Sequence, residues 1–320
     1  MKTLHLKDLI APISIDDFLT SHWPHKPLFI PANAAKIENL LSLPQLQSLE
    51  NLIAARTTKV RACLPDFDDE YSSIMVETSD AMKVYQNSMT LVFDSMQKQS
   101  PEIAESLKQI TQDLGLVIGS YDHNLCQARS IAYATPAWCG TRLHFDANAN
   151  FIIQISGTKK WTLAVNNSVV HPTERFTTGS LEMPLALEKQ CHAELLHEAP
   201  EDAVEYLMEP GSVLFVPRGV WHETTTEEDS LSLNFTFSQP SWADVFSKSI
   251  HAYLLNSSEW RALCQGIGSS EESQQIQAKA QFQKMILTLA ADLQRTSAAE
   301  LLTEGEFINE NDIDEPTDVF

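Results

Sequence analysis

Two segments restrict this chain more than any other feature: TRLHFDANANFIIQISGTKK, from Thr141 to Lys160, and EPGSVLFVPRGVWH, which ends on His222. Side chains at i and i+2 of a strand point to one face, so His144 and Asp146 are expected to reach one ion from a single strand. His222, seventy-six residues past Asp146, is expected to complete the set from a neighbouring strand. Two imidazoles and one carboxylate on one side of an octahedral ion leave the opposite positions open, as non-heme Fe(II) oxygenases require. A lone His-x-Asp in a chain with 10 His arises by chance, and a core or surface histidine is then the plainer reading.

Three surrounding patterns favour a metal site. The run NFIIQIS is apolar and β-branched, breaks at Gly157-Thr158 and resumes as KWTLAV, which predicts strand, tight turn, strand, with the motif at the head of a hairpin. The strand VLFV precedes Pro217 and Gly219, a turn that delivers His222 at the start of the next extended segment. Finally, Leu231, Leu233, Phe235 and Phe237 alternate with Ser232, Asn234 and Thr236. One strand face is therefore apolar and the other small and polar, as suits a barrel that holds a ligand.

From about Thr141 to Phe237 the chain resembles the JmjC (jumonji-type, cupin-fold) family of Fe(II)- and 2-oxoglutarate-dependent oxygenases. The resemblance implies a mainly β protein with flanking helices around a double-stranded β-helix, or jelly roll. It implies iron ligation by His144, Asp146 and His222. It assigns Lys159, fifteen residues after His144, to the distal carboxylate of 2-oxoglutarate, with Thr141 assisting. Asn150 and Asn234 match amides that line the co-substrate pocket in the hypoxia-factor asparaginyl hydroxylase branch, and Tyr85 matches a phenol with a similar task there. The pattern FLxxxWxxKPLxI, from Phe18 to Ile30, resembles instead the N-terminal entry of the bacterial cupin-like ribosomal oxygenases. Those relatives carry an apolar residue where this chain has Asn150, can carry Arg in place of Lys159, and continue into a winged-helix domain for which too few residues follow the last helix here.

Plainer roles stand beside these. Lys159 neighbours Lys160 in a turn, where lysines are usually solvated. Thr141 is an ordinary β-former, and Asn150 or Asn234 could satisfy backbone groups. Trp161 and Trp221 are expected to be buried structural aromatics. Chemically, a dianion that chelates a metal through its keto-acid end needs a fixed cation and a hydroxyl for its other carboxylate, and one Lys and one Thr meet that need. The expected activity is a dioxygenase that hydroxylates a protein side chain, with a ribosomal protein as the first candidate. Demethylation of a methyl-lysine is a variant within that class. The rival from another class is a metal-binding cupin without oxygenase activity that serves as a binding or assembly module.

Composition bounds the partners. An excess of 43 acids over 22 bases gives a net charge of −21, which disfavours direct nucleic-acid contact and suits a basic polypeptide, though it also serves solubility alone. No apolar run approaches a membrane span, and the first residues lack a signal peptide's apolar core, so a cytoplasmic protein is expected. The 5 Cys are widely spaced with no CxxC, against both a disulfide framework and a zinc site.

The expected organisation is an N-terminal region over 1–120, a catalytic core over 121–240, C-terminal helices over 241–296 and an acidic tail over 297–320. Ser14-x-x-Asp17 predicts a helix start, and Ser100-Pro101 opens another that runs to about Leu114. Residues 171–208, rich in charge, read as a surface insertion or a cover for the site's mouth. Near the end, Trp242, Val245, Phe246, Ile250 and Tyr253 form one stripe and Phe282, Met285, Ile286, Leu289 and Leu293 another. These are expected to pack on the barrel or to pair with a second copy in a homodimer.

Overall fold

Strand formation follows the apolar alternation, and the strands form two antiparallel sheets. The structure, a computed structural model, describes residues 3–33, 35, 38–64, 72–116, 127–180 and 182–307. In chain order the strands are β1 (Leu28–Ile30), β2 (Val60–Cys63), β3 (Ser73–Val76), β4 (Thr90–Phe93), β5 (Gln127–Thr135), β6 (Gly140–Phe145) and β7 (Ala149–Ser156). They continue as β8 (Lys159–Ala164), β9 (Phe176–Thr177), β10 (Val204–Met208), β11 (Val213–Val216), β12 (Trp221–Thr225) and β13 (Ser230–Ser238). One sheet has the order β1-β11-β7-β13-β5-β4-β2-β3 and the other β10-β8-β12-β6-β9. This is the double-stranded β-helix with flanking helices.

The expected hairpin of β7 and β8 does not form, because the two strands lie in opposite sheets. β7 is flanked by β11 and β13 in its own sheet, so it has no edge to offer β8. The turn between them crosses from sheet to sheet at Gly157, whose φ of +61° is a left-handed conformation and whose missing Cβ would collide with the Asp229 carbonyl oxygen. β11 and β12 are likewise joined across the sheets, through Pro217 and Gly219. These crossings close a barrel, and they explain why a continuous apolar run such as NFIIQIS is buried on both faces.

The larger core lies outside the barrel. Phe151, Ile153, Phe215, Leu233 and Phe235, all buried, pack with Phe18 and Leu9 of the N-terminal helices. Phe18 heads this contact with ring centroids 5.2 Å from Phe215 and 5.7 Å from Phe151, and Trp23 lies tilted at 5.5 Å from Phe215. Burying such a side chain is worth about 1.5–3 kcal/mol, so the Phe18 to Ile30 entry segment anchors one sheet. Its helix Ile15–Ser21 starts as expected, Ser14 accepting from the Asp17 amide, and the helix Pro101–Asp113 starts under a Ser100 cap. Between the sheets, Ile152, Leu214, Val216, Trp161 and Leu163 form a second core that closes one end of the barrel.

Residues 171–208 are not a plain surface loop. They contribute β9, a helical turn at Leu185–Glu188 and β10, and Leu187 is buried against Leu143, Phe145 and Trp221 on the outer face of the five-stranded sheet. The apolar residues dispersed between charges in this segment cover that face, which would otherwise expose large aromatics.

The described residues up to Gln239 form one compact unit and those from Pro240 onward a second. The second holds helices Trp242–Leu255, Glu272–Leu293 and Ala298–Glu304. The last of these corrects the expectation of a tail from residue 297: Ser297 and Glu300 make a reciprocal capping box that starts a helix there. Residues 308–320 of the expected tail lie outside the described residues. The stripe on Glu272–Leu293 is not buried, since no residue of that helix is. Among the described residues, no helix is long and apolar enough to cross a membrane.

Candidate metal centre

Strand register places the two histidines opposite each other: His144 on β6 pairs with His222 on β12, and their ring centroids are 4.1 Å apart. The register between β6 and β12 shifts by one residue here, the extra residue lying in β6 between Thr141 and His144, a bulge beside the ligand. Asp146 lies one residue beyond β6, rather than within the strand as expected. Its carbonyl accepts from the Gly219 amide at 2.9 Å, which ties the Pro217-Gly219 turn to the first half of the motif. Donor atoms of His144, Asp146 and His222 all lie within 4.8 Å of one another.

Each imidazole is oriented by its own backbone. Nδ1 of His144 donates to the Arg142 carbonyl at 2.7 Å, and Nδ1 of His222 to the Val220 carbonyl at 2.9 Å. A carbonyl only accepts, so both rings carry the proton on Nδ1 and offer Nε2 to a metal. Burial, with His144 beside it, holds His222 well below its ordinary pKa, so the ring is neutral as a ligand must be. Trp161 stacks on the His222 ring at 5.6 Å and 21°.

The Asp146 oxygens face different partners. Oδ2 lies 3.7 Å from His222 Nε2 and accepts from Asn150 Nδ2 at 3.3 Å, whereas Oδ1 lies 3.7 Å from Arg175 Nε. Asn150 Oδ1 in turn accepts from Thr236 on β13 at 2.7 Å. Asn150, assigned by resemblance to the co-substrate, thus also ties the carboxylate to the opposite sheet. The donor set, its protonation and its tethers fit a divalent metal in a two-His, one-carboxylate triad.

The triad opens into a cavity of about 710 Å³ lined from both sheets. Lys159, Thr141, Asn150 and Asn234 all line it. Lys159 is 5 % exposed and donates from Nζ to Thr135 Oγ1 at 2.8 Å. Burial pushes its pKa down to about 8, and among the described residues no carboxylate stands within ion-pair reach of it. Thr141 Oγ1 lies 2.9 Å from Thr224 Oγ1. Asn234 Oδ1 and Trp161 Nε1 are buried without a hydrogen-bond partner, the mark of groups that await one from a bound molecule. Tyr85 is set back: its hydroxyl donates to the Thr135 carbonyl at 3.3 Å, so it braces the residue that holds Lys159.

Sequence reasoning passed over Thr135, Tyr133 and Arg175, and read Trp161 as a structural aromatic only. Thr135, Tyr133 and Trp161 were accessible from strand periodicity, since Thr135 and Tyr133 share a face of β5, and Lys159 and Trp161 share a face of β8. Arg175 comes from outside the motifs, just before β9, and no local pattern marks it.

Comparison with known proteins agrees with this geometry. Residues 106–245 match the JmjC domain model. YxbC of Bacillus subtilis is 27 % identical over 314 residues, covering 97 % of this chain and 92 % of that protein. Ribosomal oxygenase 2 of Rattus norvegicus is 27 % identical over 268 residues, which cover 76 % of this chain and 50 % of that protein. The chain therefore spans nearly all of the first relative but about half of the second. Among solved structures, that of YcfD from Escherichia coli superposes with a TM-score of 0.53 at 16 % identity over 87 % of this chain and 67 % of the other, and its complex with cobalt and 2-oxoglutarate with a TM-score of 0.50 at 14 %, covering 86 % and 67 %. The fold is shared with YcfD, the triad is in place, and residues 106–245 match the JmjC domain, so this part of the chain is similar to the ribosomal oxygenases.

Proposed function

We propose that the chain is an Fe(II)- and 2-oxoglutarate-dependent dioxygenase that hydroxylates a protein side chain, with a ribosomal protein as the first candidate substrate. One observation carries this reading. A metal triad and a buried lysine with no carboxylate partner among the described residues line the same cavity, a pairing that suits a metal and an anion together. The similarity to ribosomal oxygenase 2 of Rattus norvegicus supports the choice of substrate. The complex of YcfD with cobalt and 2-oxoglutarate supports the pairing of metal and co-substrate.

His144, Asp146 and His222 would hold the iron, and Lys159 with Thr141 would hold the far carboxylate of 2-oxoglutarate. Iron and 2-oxoglutarate, once bound, supply the oxidising chemistry. The chain's own work is positional. Asn150 and the two backbone carbonyls fix the ligand orientations, and Trp161 shields the His222 ring. Lys159, 5 % exposed, supplies a buried positive charge, which acts more strongly than one at a surface.

Anaerobic addition of Fe(II) and 2-oxoglutarate to the purified protein is expected to give a weak visible charge-transfer band, and admission of air to give succinate. If wild-type protein shows neither, the oxygenase reading falls and a metal-binding module takes its place.

A homodimer through the C-terminal helices belongs to the same proposal. Trp242 is 85 % exposed and Phe282 52 %, and no apolar residue of either stripe is fully buried. Sedimentation at tens of micromolar is expected to give twice the chain mass of 35.8 kDa, and a monomer mass would refute the pairing.

A further inference from the structure

A second cavity, of about 430 Å³, is walled in part by Gly219 and Val220, just before the ligand His222. Its size is that of a small-molecule site. The rest of the wall is mainly apolar: Leu163, Val169 and Tyr206 stand there with Val165, Val170 and Val204, which are 75 %, 59 % and 51 % exposed. Aliphatic side chains left so open around a concavity favour an apolar occupant. The polar lining has the opposite sign to the chain as a whole. Acids outnumber bases by 43 to 22 in the sequence, yet Lys26, His25 and His171 stand in this lining against one acid, Asp202. Arg218 is already engaged, donating from Nε to the Pro172 carbonyl at 2.7 Å and from Nη2 to the His171 carbonyl at 2.9 Å, and it serves here as a frame for the wall.

Asn166, also in the lining, adds a donor of fixed orientation. Its Oδ1 accepts from the Ser168 amide at 3.1 Å and from the Val169 amide at 3.0 Å, which settles which end of the side chain is oxygen. Its Nδ2 is then buried with no hydrogen-bond partner. A buried donor left unpaired is costly, and an acceptor brought by a bound molecule removes that cost.

The same wall holds two of the three metal ligands. The Gly219 amide donates to the Asp146 carbonyl at 2.9 Å, and the Val220 carbonyl accepts from His222 Nδ1 at 2.9 Å. Gly219 has a φ of +84°, and a Cβ there would lie 2.7 Å from Pro172 Cδ, so the turn and the segment that carries His171 are packed without slack. Whatever presses on Gly219 and Val220 from the second cavity therefore bears on the set of Asp146 and His222.

We infer that this cavity is a regulatory site for a small organic carboxylate with a short apolar body, whose binding steadies Asp146 and His222 and so tightens the metal. The carboxylate meets Asn166 Nδ2 and Lys26, and the apolar body meets the aliphatic wall. The site acts on the metal ligands, not on any oxidation that follows, and so goes beyond the dioxygenase reading.

The test titrates hexanoate into the full chain loaded with Co(II) and 2-oxoglutarate, with acetate and hexylammonium as comparisons. Calorimetry is expected to show hexanoate at least about tenfold tighter than acetate, since each buried CH2 is worth about fourfold. It should also exceed hexylammonium by at least about tenfold. Asn166→Asp keeps the acceptor for the Ser168 and Val169 amides but sets a carboxylate where the donor stood. It should weaken hexanoate at least about tenfold while leaving Co(II) affinity alone, and Lys26→Gln should weaken hexanoate about threefold. Without 2-oxoglutarate, saturating hexanoate is expected to tighten Co(II) at least about fivefold, and Co(II) to tighten hexanoate by the same factor. At the same concentrations Asn166→Asp should lose that gain. No heat from hexanoate, acetate or hexylammonium bound as tightly, hexanoate affinity unmoved in Asn166→Asp, or Co(II) affinity indifferent to hexanoate overturns the inference. A Co(II) gain that survives in Asn166→Asp overturns it too, because hexanoate then acts at the metal itself. Failure of the dioxygenase reading looks different: 2-oxoglutarate gives no heat of binding, whereas hexanoate still binds and still tightens Co(II).

Discussion

Asp146→Asn is expected to lower metal affinity by more than about 100-fold and to abolish succinate formation, while leaving the melting temperature of the metal-free protein nearly unchanged. The amide keeps the shape of the carboxylate, and the side chain is 22 % exposed, so no large core is disturbed. What is lost is the only anionic ligand. Losing an outer hydrogen bond to a metal ligand typically costs 10–100-fold in affinity, and losing the ligand's charge must exceed that. Asn150→Ala provides the internal scale: it removes the tether between Thr236 and Asp146 and belongs in the lower range. A Co(II) absorption titration reads both. Should Asp146→Asn bind Co(II) within threefold of wild type, the metal is held elsewhere and the triad is an accident of packing.

The triad was legible in the sequence because strand periodicity is local. His144 and Asp146 are two residues apart, and the Pro217-Gly219 turn announces a strand that begins at Trp221, one residue before His222. The apolar and polar alternation of β13 also told which face would meet a ligand, since Ser232 and Asn234 line the cavity while Leu233 and Phe235 pack outward. What could not be read was which strands are neighbours. A strand, Gly-Thr turn and strand serve equally for a hairpin or for a crossing between sheets, and only the competition for edges decides. β7 has both edges taken by β11 and β13, strands that arrive some sixty to eighty residues later. Arg175 escaped for the same reason, because its place beside Asp146 depends on β9 pairing with β6 rather than on any local pattern. Thr135 differs. Its position on the cavity-facing side of β5 follows from simple alternation, and the need of a buried lysine for a hydroxyl partner would have singled it out.

Lys159→Met should do two opposite things: abolish 2-oxoglutarate binding and make the ligand-free protein more stable. Both follow from an ammonium buried beside a single threonine hydroxyl, with no carboxylate among the described residues to balance it. Methionine fills similar space without a charge to desolvate, so a gain of about 1–3 kcal/mol at pH 7 is expected by chemical denaturation. The pH dependence separates this account from ordinary packing. The folded-state pKa of about 8 lies below the ordinary lysine value of 10.5. Below pH 8 the group is charged in folded and unfolded states alike, and the folded protein bears the whole cost of burial. As pH rises from 8 towards 10.5 the unfolded state holds more protons, so the wild type gains stability relative to Lys159→Met, by up to about 3 kcal/mol. A dicarboxylate favours the charged lysine, so its binding must take up a proton above pH 8 and none near pH 6.5. Calorimetry of 2-oxoglutarate binding in buffers of different ionisation enthalpy measures that uptake. Affinity is expected to fall about tenfold per pH unit once the pH exceeds 8. Binding that is independent of pH between 7 and 9.5, or retained by the methionine variant, would remove Lys159 from the carboxylate site.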